Sequence, residues 1–181
     1  GALNELRSAL TGQSQIDSSL KQAISNIEKS LNAAYWIDDS HLKPGDGDKV
    51  FHYEKLAAND LKSLARGGNL PHNIKELAST VQGNLLEADR RLAATAIKEA
   101  RDGASGLIDA ALLVKAVAAY DKAKLELMGR SPDISQAFEH YRQAWEYAVK
   151  AMTNTRSPQW KPGQSSDNDD DDDRGGRGRN R

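Results

Sequence analysis

The sequence predicts an all-α protein, an up-and-down bundle of four long helices plus a short N-terminal helix. Three observations carry this. Apolar residues recur at steps of three and four through almost every stretch before residue 153, the period of an amphipathic helix. Alanine is abundant in each of those stretches while aromatics make up only 6% of the chain, a composition that suits close helix packing. No stretch alternates apolar and polar residues for long enough to mark a strand, so no sheet is expected.

The elements follow in order. Leu3, Leu6, Ala9 and Leu10 make a short amphipathic segment that Gly12 ends. From Ser14 the positions Ile16, Leu20, Ala23, Ile24, Ile27, Leu31, Ala34 and Tyr35 keep helical steps without a break. An irregular stretch follows, Trp36 to Phe51, and Asp48 is the expected N-cap of the next helix. That helix carries Val50, Tyr53, Ala57, Leu61 and Leu64 and stops at Gly67-Gly68. Pro71 suits a first helical position and opens a long stripe of Ile74, Leu77, Val81, Leu85, Ala88, Leu92 and Thr95 that ends near Gly103. Gly83 inside it is expected to mark a close crossing or a bend. Ser105-Gly106 opens a helix with Ile108, Leu112, Ala116, Ala119, Tyr120, Ala123 and Leu127, which Gly129 ends. Ser131-Pro132-Asp133 then reads as cap, proline at the first position and acid in the first turn. It starts a last helix bearing Ile134, Ala137, Phe138, Tyr141, Ala144, Trp145, Ala148 and Met152.

After residue 153 the composition changes. Residues 154–181 hold prolines, serines, the run Asp169 to Asp173 and an Arg174-Gly175-Gly176-Arg177-Gly178-Arg179 segment. With no apolar periodicity to offset ordering entropy, 154–181 is expected to be a disordered tail and 1–153 the folded unit. Trp160 is the tail's one apolar anchor.

Bulk properties exclude several classes of function. The 181 residues include no cysteine, which removes disulfides, thiolate catalysis, cysteine zinc sites and iron–sulfur clusters. The net charge of −1 sets up no general attraction for nucleic acid or an anionic membrane. No apolar run approaches the roughly 18 residues of a membrane span, and no charged-then-apolar leader opens the chain. It begins Gly1-Ala2-Leu3 without methionine, as expected of a processed protein or an excised piece of a longer one.

The bundle is expected to be organised around residues 36–51. This clasp opens on Trp36 and closes on Val50 and Phe51, and Trp36 and Phe51 should pack it against the helices. Asp38, Asp39, Asp46 and Asp48 are hard oxygen donors, and Gly45 and Gly47 allow tight wrapping, so calcium is one reading of the loop 38–48. The EF-hand spacing is absent. His41 and His52 with one aspartate give a zinc reading. The preferred reading is structural, with Asp38 and Asp39 at the turn after a helix, Pro44-Gly45 as a turn and Asp48 as a cap.

Catalysis finds less support. Asp38 and Asp39 with Glu54 would be the only paired carboxylates to suggest acid–base work. No nucleophile elbow, phosphate loop or HExxH motif occurs, and His72 and His140 stand alone, so no enzyme and no cofactor are expected. Phe138, Tyr141 and Trp145 read as core rather than as a stacking platform, with Glu139, His140, Arg142 and Glu146 on the solvated side. The Arg-Gly segment resembles those of RNA-associated proteins, but the tail's six acids balance its six bases, which argues against a nucleic-acid partner.

Two family resemblances add to this. Residues Ser131 to Ala148 resemble half of a tetratricopeptide-type hairpin, without the 34-residue repeat that a true array needs. Residues 3–152 resemble the helical accessory modules near the C-termini of large secreted bacterial proteins, of which the FIMAH domain is one kind. This rests on Ala23-Ile24-Ser25-Asn26-Ile27-Glu28-Lys29-Ser30-Leu31, Tyr35-Trp36-Ile37-Asp38-Asp39, Lys49-Val50-Phe51 and the run from Ala137 to Trp145. The resemblance implies an extracellular or cell-surface attachment or interaction part, with a protein or cell-surface partner and no catalytic residues. The alternatives left open are a calcium- or metal-binding helical protein using loop 38–48 and an RNA-associated protein using the Arg-Gly tail.

Overall fold

The computed structural model describes residues 2–10, 12, 14–67, 70–103 and 108–154. Beyond Asn154, the expected tail with Trp160, the Asp169 to Asp173 run and the Arg-Gly segment lies outside the described residues. So do Gly68 of the expected helix stop and the expected helix start at Ser105-Gly106. The described residues form six helices: α1 (Ala2–Ser8), α2 (Ser14–Ser30), α3 (Asp48–Arg66), α4 (His72–Asp102), α5 (Ala110–Leu127) and α6 (Ile134–Thr153). The fold class is all-α, as expected, with five long helices rather than four beside the short α1.

Helix α2 ends at Ser30, short of the expected Tyr35, and the hydrogen bonds say why. Continuing the helix would join the Ala34 N–H to the Ser30 carbonyl. Instead the Ala34 N–H donates to Asn32 Oδ1 at 2.9 Å, and the Ser30 carbonyl accepts from Trp36 Nε1 at 2.8 Å. Both groups are satisfied elsewhere, so the helix gives way to a 3₁₀ turn over Ala33–Tyr35.

No sheet was expected, yet the described residues contain one minimal ladder. Strand β1 (Trp36–Asp38) pairs antiparallel with β2 (His41–Leu42). Strands of three and two residues are too short to show period-two alternation in a sequence. The hairpin is held by its turn, where the Ser40 N–H donates to Asp38 Oδ1 at 2.8 Å.

Most helix starts differ from expectation by a residue or two, but α5 begins only at Ala110, so Ile108 lies before the helix and Asp109 is its cap. Asp48 is the first residue of α3 and not its cap, because Gly47 before it already has helical backbone angles and α3 opens without a side-chain cap bond. Asp133, not Ser131, caps α6, accepting from the Gln136 N–H at 3.0 Å. Pro71 stands just before α4 and takes the Ile74 and Lys75 N–H groups on its carbonyl. A Cβ on Gly83 would meet nothing within 4 Å, so no close helix crossing explains that glycine.

The helices pack α2 on α3, α3 on α4, α4 on α6 and α6 on α5, with α3 also touching α6 and α1 lying against α2 and α4. Helix α5 is therefore peripheral, and α6 is its main neighbour. Two apolar clusters fill the interior. One contains Val50, Phe51, Leu92, Tyr141 and Trp145 together with three alanines of α5. The other contains Leu20, Ile27, Ala57, Leu61, Leu85 and Phe138. Helices α3, α4 and α6 each cross from one cluster to the other. The aromatic stripe of α6 is core, as its steps of three and four predict: Phe138, Tyr141 and Trp145 are all buried.

Candidate functional site

The clasp residues sit on a fixed frame. Phe51 is buried, its ring 5.7 Å from that of Trp145. Trp36 is half-buried and tied by its indole N–H to α2. The loop also needs two glycines. Gly45 has φ of +90°, a conformation that L side chains rarely adopt. A Cβ on Gly47 would lie 2.5 Å from Leu42 Cβ and 2.7 Å from the Trp145 ring. Gly47 thus lets the backbone lie directly on Trp145.

The five candidate metal ligands separate in this frame. Asp38 and His41 come together, with His41 Nδ1 2.7 Å from Asp38 Oδ1. His41 Nε2 lies 2.6 Å from Glu99 Oε1 on α4, so the imidazole bridges the hairpin to the longest helix. Asp46 instead pairs with Lys49 at 2.7 Å. Asp48 sits in the first turn of α3, where a carboxylate complements the helix dipole. Asp39 is exposed at the hairpin tip. Among the described residues, no group of three or more His, Cys, Asp or Glu side chains is placed to hold a metal ion. His52, the other zinc candidate, is exposed on α3 with its ring edge toward Tyr53.

The electrostatics of the cluster follow its bonds. The Ser40 N–H, with His41 and the Ser40 hydroxyl, pulls the Asp38 carboxyl down to about 2. Burial works against charge on His41, but the hydrogen bonds it donates to the Asp38 and Glu99 carboxylates outweigh it and raise the imidazole above its ordinary value. Ser40 Oγ and Asp38 both meet Nδ1 of His41, while Nε2 is turned to Glu99. The cavity behind His41, between Thr95, Trp145 and Met152, is about 10 Å³, room for about one water. The geometry makes a strap across α4.

The other histidines pair with acids. His72 Nε2 lies 2.9 Å from Glu76 on an exposed turn of α4, and His140 Nε2 lies 3.9 Å from Glu126. Around the expected solvated side of α6, Arg142 pairs with both Glu139 and Glu146.

The carboxylate pair is not the expected one. Glu54 does not join Asp38 and Asp39. It lies inside the bundle beside Asp89 of α4, at 4% and 0% exposure. Sequence reasoning missed Asp89, although the signal was present: each acid stands at helical spacing between buried apolar residues, Val50 and Ala57 around Glu54, Leu85 and Leu92 around Asp89.

A last feature is the surface of α5. Its buried residues are Ala116, Ala119 and Ala123, which let it lie close on α6. Its outward face carries Ala111, Val114, Ala118 and Leu125 at steps of three, four and seven, all exposed, and Met128 follows the helix end. Val114, Leu125 and Met128 are 68%, 64% and 67% exposed. Lys115 and Lys122 flank the stripe. Among the described residues, no helix is long and apolar enough to cross a membrane.

Comparison with protein-family models, curated proteins and solved structures gives no match to this chain.

Proposed function

We propose that the chain is a non-enzymatic interaction or surface-attachment module, one part of a larger extracellular bacterial protein, and that the outer face of α5 is where it docks a protein or cell-surface partner. One observation carries this reading. Helix α5 fully buries only alanines, packs Leu113, Val117, Tyr120 and Leu127 partly against the core, and presents Val114 and Leu125 to solvent on one line with Ala111 and Ala118. Exposed apolar residues scattered singly are ordinary, whereas a contiguous stripe with a charged rim is the usual form of a contact surface. The resemblance of residues 3–152 to helical accessory modules of secreted bacterial proteins points the same way. Calcium binding by loop 38–48 ranks lower, since Asp38 and Asp46 already have protein partners.

A photo-crosslinking amino acid at position 114, with position 79 on α4 as an exposed control, tests the surface. A partner should crosslink at 114 and not at 79. The same partner, purified, should bind the unmodified chain saturably and lose affinity for Val114→Asp combined with Leu125→Asp. Equal crosslinking at both positions, or binding indifferent to the double substitution, would place the contact elsewhere. Reproducible turnover lost on Asp38→Asn or His41→Asn would replace the whole reading with an enzymatic one.

A further inference from the structure

We propose that Glu54 and Asp89 hold one proton between them at neutral pH, and that this proton locks α3 to α4 at the layer between the two apolar clusters, so that raising the pH opens the bundle there. The geometry makes the case. Both side chains are buried, and they face each other across the α3–α4 contact. Glu54 Oε2 and both carboxylate oxygens of Asp89 lack a donor. Two ionised carboxylates are acceptors only, and with no donor between them they repel. A proton on one converts the contact into a hydrogen bond, as in other carboxyl pairs that share a site.

Among the described residues, the surroundings offer no other compensation. On α2 the Ser30 hydroxyl lies in reach of Glu54, but it also donates to the Ile27 carbonyl at 2.9 Å. On α4 the buried Gln82 is engaged with the Ala58 carbonyl at 2.7 Å. Arg90, one residue from Asp89, is directed away, to Glu87 and the Tyr120 hydroxyl of α5. On α6 the buried Tyr141 hydroxyl has no partner; burial pushes it up to about 12, so it stays neutral. Among the described residues, no cation therefore faces the pair.

Burial raises both carboxyls above their ordinary range, and for Asp89 the neighbouring Glu54 adds to it. The two titrations belong to the pair rather than to either residue. The folded chain keeps protons that the unfolded chain releases near pH 4. Stability from this layer is thus fully present in acid and lost as pH rises, by up to about tenfold in the unfolding equilibrium per pH unit for each proton retained. His41 has the same sign, because its raised imidazole stabilises the folded chain below about pH 6.5 and less above it, so the two must be separated.

The test combines carboxyl ¹³C NMR titration of the intact chain with melting between about pH 5 and pH 9. Glu54 and Asp89 should titrate well above the other carboxyls, and the midpoint should fall toward alkaline pH. Glu54→Gln, which keeps a donor in the layer, should flatten that fall, while His41→Asn should leave most of it. Should Glu54→Gln fail to fold, the titration of the unmodified chain decides alone. Both carboxyls titrating in the ordinary range, or a fall abolished by His41→Asn and untouched by Glu54→Gln, would overturn the proposal.

Discussion

Helices α3 and α5 are close in length, 19 and 18 residues, and are attached to the bundle in opposite ways. Helix α3 buries Val50, Phe51, Glu54, Ala57, Ala58, Leu61 and Leu64, and it touches α2, α4 and α6. It has no side-chain cap. Helix α5 buries three alanines and packs mainly on α6. Asp109 caps it, accepting from the Ala111 and Leu112 N–H groups at 3.1 Å. One helix is held by large side chains deep in the core, the other by buried alanines, by half-buried Leu113, Val117, Tyr120 and Leu127, and by its cap. The contrast shows how similar amounts of helix can serve stability in one place and leave an apolar face available in another.

Substitutions can break this contrast, and the largest effect belongs to α3. Phe51→Ala removes a buried ring from against Trp145 and should cost about 3–5 kcal/mol in urea unfolding. A cost below 1 kcal/mol would mean that the clasp does not anchor the core. Next comes Ala116→Leu, which forces a large side chain between α5 and α6. It should cost about 1–3 kcal/mol through overpacking, whereas a neutral result would show that α5 is loosely apposed. Asp109→Ala should cost about 1 kcal/mol, and circular dichroism would show the loss as fraying of one helix. Smallest is Val114→Asp with Leu125→Asp, which should change stability by no more than about 0.5 kcal/mol per site while abolishing partner binding. A large loss of stability there would make the stripe part of the fold. On the clasp itself, millimolar calcium or zinc should leave the melting midpoint in place, because Asp38 and Asp46 are already satisfied. A rise that disappears in Asp38→Asn would make loop 38–48 a ligand site.

The clasp shows how far sequence reading reached. Phe51 was readable as an anchor because it closes the polar stretch 36–51 as half of the apolar pair Val50-Phe51. Pro44-Gly45 was readable as a turn because proline and glycine restrict and free the backbone locally. Gly47 was not readable in full, since beside the nearby Leu42 it avoids Trp145, almost a hundred residues away. Glu99 was missed for the same reason: nothing in its own neighbourhood distinguishes it from any surface glutamate on α4. The end of α2 was misplaced because the steps of three and four continue past Ser30, while side chains of Asn32 and Trp36 take the hydrogen bonds that would have extended it.

The sequence by itself determined the all-α class, the order of the helices, most of the apolar residues of the inward faces (Leu31, 58% exposed, is an exception) and the burial of Phe138, Tyr141 and Trp145. Those properties depend on local period and propensity, which one segment expresses alone. Only the tertiary structure decided that Glu54 meets Asp89 and that His41 spans from Asp38 to Glu99. It also decided that α5 lies at the edge of the bundle with Val114 and Leu125 outward. An apolar stripe does not record which helix will cover it, and an acid at a core position does not record what will face it. Both are settled by which helices pack together, and that depends on the whole chain at once.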